Sequence, residues 1–282
     1  MLACAALSPP MVEQSSSPHH LNNMISFFPY LAQYGYSDYG YAAPGGEALL
    51  GSGASMIGLM LILGAGLIGF IVQQNMRASF AKYSAERAPL TGAEAAELML
   101  RENGLGDVRV ISTPGRLTDH YNPLDRTVNL SEDVYRNATV AAMAVAAHEC
   151  GHAVQHAQAY PWLSLRSSLV PMVNIGSRLG QFVLMLGLVL AAMGSGTTVA
   201  WVGLALFATT TLFAFVTLPV EFDASRRALA WLESRSEGRA LRGEAATALR
   251  WAAMTYVAAA LSSLAMLAYY ALLLLSRSGR RD

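Results

Sequence analysis

His148, Glu149 and His152 form an H-E-x-x-H pentad in a chain of 282 residues. On a helix, residues four apart share a face, so both imidazoles can reach one metal ion. The glutamate between them stands beside the position of a metal-activated water, placed to take its proton. Two imidazoles and a carboxylate on an apolar helix need polar partners. One zinc ion per chain would supply them. A di-iron bundle needs a second Glu-x-x-His. None of His19, His20, His120 and His156 has a glutamate three residues earlier, so that reading fails.

A catalytic zinc ion takes three protein ligands and keeps a fourth position open. His156 continues the i+4 series, but eight residues of continuous helix put it about 12 Å from His148. The longer motif with a third histidine needs a glycine where Gln155 stands. His156 is therefore read as a polar residue at a helix end. The remaining candidates are Glu221 and Asp223 in LPVEFDASRRA. Glu221 is the first carboxylate after the pentad, 69 residues beyond His152, with only Arg166 and Arg178 charged between them. Asp223 is its rival, about 200° round a helix from Glu221. Its expected work is to hydrogen-bond a ligand histidine or to pair with Arg226 or Arg227. A competing reading pairs Glu221 itself with one of these arginines. Candidates for a second oxyanion donor are His120, Tyr121, Arg226 and Arg227.

The elements that must position these groups belong to a membrane protein. Of the residues 54% are hydrophobic and only 13% charged, with 19 basic and 19 acidic side chains in balance; a soluble domain carries about a quarter charged. That excludes a disordered chain and a nucleic-acid binder resting on bulk basicity. Two cysteines, Cys4 and Cys150, make no disulfide framework. Residues 1–23 are polar and Pro/Ser-rich, read as a disordered tail or an over-long start, with Met24 as the alternative start. Residues 24–55 carry seven aromatic rings suited to a membrane interface. Four apolar spans are expected: one at 56–76, two within 169–220 and one at 251–275, followed by a tail at 276–282.

Residues 77–168 read as a small soluble domain holding the pentad. Thr91-Gly92-Ala93-Glu94 is a capping box opening a helix to about Asn103, with Gly104 as its stop. Val108–Ser112 and Leu117–Leu130 read as short strands or a hairpin. Ser131 is expected to cap a short helix, and a buried helix runs from about Thr139 to Gln158. Pro219 should break or kink the chain before residues 221–250, which bring six arginines and the third ligand. No Lys or Arg precedes Arg77. The positive-inside rule then places 77–168 and 221–250 in the cytoplasm; Arg277, Arg280 and Arg281 run against it.

AAHECGHAVQHAQ, LTDHYNPLDRTVNLSEDVY and LPVEFDASRRAL together resemble the YugP-like family of bacterial membrane zinc metallopeptidases, and TGAEAAE and NGLGDVRV look like further family segments. The likeness extends from about Arg77 to Arg250. It implies a gluzincin-type site in a layout similar to HtpX-type membrane proteases: His148, His152 and Glu221 as ligands and Glu149 as the catalytic glutamate. HtpX-type proteins place an aspartate four residues after the ligand glutamate; here Ser225 stands there. The expected fold is a mainly α membrane protein, about four transmembrane helices with a small α+β zinc peptidase domain. The expected function is zinc-dependent endopeptidase action on a peptide or protein substrate associated with the membrane. The competing class is a zinc-binding membrane scaffold without turnover, which would need no general base such as Glu149.

Overall fold

The computed structural model describes residues 53–278. Residues 1–52 and 279–282, which hold the expected tail, most of the aromatic segment, His19 and His20, lie outside the described residues. The described chain forms two compact units. One comprises 77–160 and 222–250; the other comprises 53–76, 161–221 and 251–278.

The second unit is built on four long helices: α1 (Gly53–Ala85), α5 (Pro161–Ala192), α6 (Thr198–Ser234) and α8 (Arg242–Ser278). Each is long and apolar enough to cross a membrane, since about 20 residues span the hydrocarbon layer. Within it, α5 and α6 approach at backbone distance. A Cβ added to Gly187 would lie 2.1 Å from the Ala200 nitrogen, and one on Gly203 would lie 2.2 Å from the Leu184 nitrogen. Apolar side chains gain little by leaving lipid, so such small-residue contacts and van der Waals packing hold membrane helices together. The sequence sets the second span from about Leu169, whereas α5 begins at Pro161. Proline suits a first helical position because its missing N–H has no intrahelical partner there. Arg166 in the added turns lies over the Phe213 ring, 5.8 Å from its centroid.

The first unit opens with the capping box. The Thr91 side chain accepts from the Glu94 N–H, and the Glu94 carboxylate accepts from the Thr91 N–H at 2.8 Å. They start α2 (Gly92–Glu102), which ends at Asn103 before Gly104 at φ 72°. Three strands follow: β1 (Arg109–Thr113), β2 (His120–Asn122) and β3 (Thr127–Ser131). The sheet order is β1-β3-β2. β2 and β3 form the expected hairpin, Tyr121 opposite Val128, and β1 lies parallel to β3, Ile111 opposite Asn129. Buried throughout, β3 is the central strand.

Ser131 does not cap as expected. It sits at the N-cap of α3 (Glu132–Arg136) with no side-chain cap bond. Its N–H and Oγ both donate instead to Asp119 Oδ1, at 2.7 and 3.0 Å. Burial pushes the Asp119 carboxyl above its ordinary range, and the Ser131 bonds work against that rise. Those bonds tie the start of β2 to the end of β3.

Helix α4 (Val140–Ala157) is capped by the Thr139 side chain on the Ala142 N–H, and every residue from Val140 to Gln155 is buried. It is apolar on nearly all faces and therefore fills the centre of the unit. Around it the core gathers Met99 and Leu100 of α2, Val128 and Leu130 of β3, Leu232 of α6 and Leu249 of α8. A short helix α7 (Ser236–Arg239) joins α6 to α8. Trp231 of α6 donates its indole N–H to Glu102 of α2 at 2.6 Å.

α6 runs unbroken through Pro219, where the sequence predicts a break or kink. Proline removes one backbone hydrogen bond, a loss that membrane helices tolerate. Beyond it, Ala224, Ser225 and Trp231 are all engaged with the first unit's core. The division between the units falls inside this helix, after Glu221.

Candidate metal centre

His148 and His152 stand one helical turn apart on α4 with ring centroids 4.8 Å apart and planes at 87°. Both are buried, as are Glu149 and Glu221. One ligand atom from each of His148, His152 and Glu221 lies within 4.8 Å of the others, a set able to hold a metal ion. Asp223, the rival, is not part of that set.

Gly151, inside the pentad, makes the arrangement possible. A Cβ there would lie 2.6 Å from the carbonyl oxygen of Ala224. Main chain of α4 therefore meets main chain of α6 at this point. One turn back on the same unbroken helix, Glu221 is carried to the histidines. A glycine in a helix interior costs about 1 kcal/mol relative to alanine, offset here by the close approach.

Each histidine is gripped by its Nδ1. That of His148 lies 3.1 Å from Ser225 Oγ, and that of His152 lies 3.0 Å from Gln155 Oε1. Ser225, four residues after Glu221, thus meets His148 with a hydroxyl. Asp223 pairs with Arg226 and with Arg227, whose Nε is 2.6 Å from Oδ2. It also accepts from Gln155 Nε2 at 2.9 Å. Of the two tasks expected of Asp223, the arginine pairing is present; the hydrogen bond to a histidine is not, and Asp223 reaches His152 through Gln155 instead.

Glu149 Oε2 accepts the backbone N–H of Tyr121 at 3.0 Å, so β2 meets the acid between the histidines through its main chain. The Tyr121 hydroxyl lies 3.0 Å from His156 Nδ1, at the far end of α4. Burial pushes the Tyr121 phenol above its ordinary range. His120 points its Nδ1 at the Thr118 carbonyl, 2.6 Å away. Arg226 stays largely exposed while holding Asp223. Cys150, inside the pentad, is fully buried; burial raises its thiol well above the usual range, and the Glu149 charge adds to the rise.

The donor set fits zinc. Two imidazole nitrogens and one carboxylate oxygen match the donors of a His₂Glu zinc site, and the Nδ1 of each imidazole has a protein partner. Two contributors carry weak sequence signals. Gly151 shows only as a glycine inside a helical pattern, and Gln155 only as a polar residue within an apolar run.

A family model described as "Putative neutral zinc metallopeptidase" matches residues 58–275. The chain is 39% identical over 226 residues to "Putative membrane protease YugP" of Bacillus subtilis (strain 168), an alignment covering 78% of this chain and 98% of that protein. No solved structure gives a significant match. The matched span holds the pentad, Glu221 and the greater part of all four long helices, and the chain belongs to this family of neutral zinc metallopeptidases, as a membrane protein.

Proposed function

We infer that this chain is a membrane-anchored zinc endopeptidase, with one zinc ion per chain held by His148, His152 and Glu221, and with Glu149 as the proton-transfer group. The observation that carries the reading is the buried cluster itself: three ligand atoms within 4.8 Å of one another, with a second buried acid, Glu149, on the same helix as the two histidines. Zinc bound there would acidify a water molecule and polarise a peptide carbonyl.

The chain's own groups do the rest. Glu149 accepts a proton from the attacking water through a carboxylate oxygen and returns it to the departing amine nitrogen. The Tyr121 N–H on Oε2 holds that carboxylate in place between the two transfers. β2, an edge of the sheet, can align an extended substrate by strand addition, which grips a chain along its middle and suits internal cleavage. The burial of the cluster excludes bulk water and strengthens its electrostatics.

The site is assigned to the cytoplasmic side. Arg77, Lys82 and Arg87 follow the first apolar span, six arginines lie in 221–250, and the turn at 193–197 carries no charge. Substrates in or near the bilayer are the ones such an anchored site meets.

The test is zinc content and peptide hydrolysis by the full chain purified in detergent, wild type against Glu149→Gln. The expected result is about one zinc per chain in both, with hydrolysis reduced by about 10²–10⁴-fold in the variant. Full activity in Glu149→Gln overturns the role of Glu149. Stoichiometric zinc in a wild type that cuts no peptide in a diverse library favours the scaffold reading.

A further inference from the structure

The geometry points to Gln155 as a positioning residue. It relays the charge of Asp223 to His152 and so fixes which ring nitrogen of that histidine faces the metal. The proposal rests on the zinc reading above, but its core concerns the protonation pattern of the protein alone.

Gln155 is fully buried on the last turn of α4, three residues after His152. A buried primary amide has two kinds of end, and its neighbours decide which end goes where. On one side stands Asp223, itself buried, with Arg226 on Oδ1 and Arg227 on Oδ2. A carboxylate facing two guanidinium groups accepts hydrogen bonds and donates none. The Gln155 –NH₂ must therefore face it, as the 2.9 Å contact from Nε2 to Oδ2 shows. Turning the amide over would set its carbonyl oxygen against a carboxylate.

That choice fixes the other end. Gln155 Oε1 lies 3.0 Å from His152 Nδ1, and a carbonyl oxygen can only accept. His152 Nδ1 must carry the proton, and the lone pair falls on Nε2. A metal requires that arrangement of a neutral imidazole bound through Nε2. Arg227 also donates to Gln158 Oε1 at 2.7 Å and lies over the Tyr160 ring, so the acid end of the relay is braced against the end of α4.

His148 is treated differently. Its Nδ1 partner is the Ser225 hydroxyl, which can donate or accept and so dictates no tautomer. The two ligand histidines are thus unequal. One is preset by an ionic relay three residues along its own helix; the hydroxyl on the other imposes no such choice.

The experiment uses the full chain in detergent micelles and two readouts. The first is the ¹⁵N chemical shifts of the His152 ring in the metal-free protein, held at a pH where the ring is neutral. The second is zinc affinity measured against a competing chelator. The wild type should show His152 protonated at Nδ1. Gln155→Leu should lose that preference, and its zinc affinity should fall by about 10–100-fold. Gln155→Glu sets two carboxylates face to face and should also weaken binding. Adding Asp223→Asn to it restores a donor facing an acceptor, so the double variant should recover at least half of the lost affinity on a logarithmic scale.

A wild-type His152 protonated at Nε2, a Gln155→Leu variant with unchanged tautomer and affinity, or a double variant no better than Gln155→Glu would each overturn the relay. Failure of the zinc reading looks different. The tautomer preference would then respond to Gln155→Leu as expected while His148→Ala and Glu221→Ala left metal binding untouched.

Discussion

Helix α4 is enclosed by protein from Val140 to Gln155, whereas α1, comparably apolar, leaves Met60, Leu63, Leu67 and Phe70 at its surface. The two differ in what solvates them. α4 has 18 residues, too few to cross a bilayer comfortably, and takes its apolar neighbours from α2, β3, α6 and α8. α1 has 33 residues and its most apolar window is only 22% buried within the protein, so lipid must cover the rest. The contrast explains where chemistry can sit. A helix covered by protein on all sides can carry two imidazoles and a carboxylate, because neighbouring elements bring Ser225, Gln155 and the Tyr121 N–H to them. A lipid-covered face offers no such partners.

The contrast breaks most visibly at the ligands. On the ligand assignment proposed above, Glu221→Ala should reduce zinc affinity by more than about 1,000-fold, where removing a supporting residue costs about 10–100-fold. Asp223→Ala should cost about tenfold. Equilibrium dialysis with a chelator measures both. The reverse order would exchange the roles of Glu221 and Asp223.

Next comes the close approach of α4 and α6. Gly151→Leu drives a side chain into the Ala224 main chain, which cannot yield as a flexible side chain does. It should cost about 4 kcal/mol and lower the thermal midpoint in detergent. The same change at Gly64, where an added Cβ meets nothing within 4 Å, should be neutral or slightly stabilising because leucine is the better helix former. Equal losses at both sites would remove the distinction between protein-covered and lipid-covered helices.

Truncation gives a milder version. Leu100→Ala, at a fully buried α2 position packed in the core around α4, should cost about 3 kcal/mol. Leu67→Ala on α1, 61% exposed, should cost under about 1 kcal/mol, because that side chain meets apolar tails in folded and unfolded states alike. Urea or thermal unfolding followed by circular dichroism separates them.

Local chemistry made part of this legible in the sequence. The capping box at Thr91 and Glu94, the stop at Asn103 and Gly104, and the bounds of α4 follow from residues within one or two turns of each other. Four apolar runs announce four long helices for the same reason. What stayed hidden depends on partners far along the chain. Ser131 has the type and place of an N-cap, yet Asp119, 12 residues earlier, takes its hydroxyl. Pro219 reads as a break or kink, yet the helix runs on past it to the contacts of Ala224, Ser225 and Trp231. At the site, the pentad is a local pattern and stands out. The 68-residue reach from Gln155 to Asp223 has no local pattern at all, and an amide within an apolar helical run does not say which groups its two ends will face.

The smallest expected effect is also the most direct test of how α4 is covered. Cys150 is fully buried, with its thiol donating to the Ala96 carbonyl of α2 at 3.5 Å. Burial and the neighbouring Glu149 both raise its thiol pKa, so at pH 8 the reactive thiolate is scarcer than on a free cysteine, and it becomes scarcer still as pH falls. In a Cys4→Ser background, Cys150 is the one thiol in the chain. A membrane-permeant maleimide should leave it unmodified over an hour at pH 8 in the native protein and label it fully once denaturant is added. A cysteine placed at Leu124, 91% exposed in the β2–β3 turn, should react within minutes under the same conditions and serves as the reference. Mass spectrometry of the intact chain reads both. Rapid native labelling of Cys150 would mean that α4 opens on that timescale or is covered by lipid rather than protein, and the distinction drawn between α4 and α1 would not survive it.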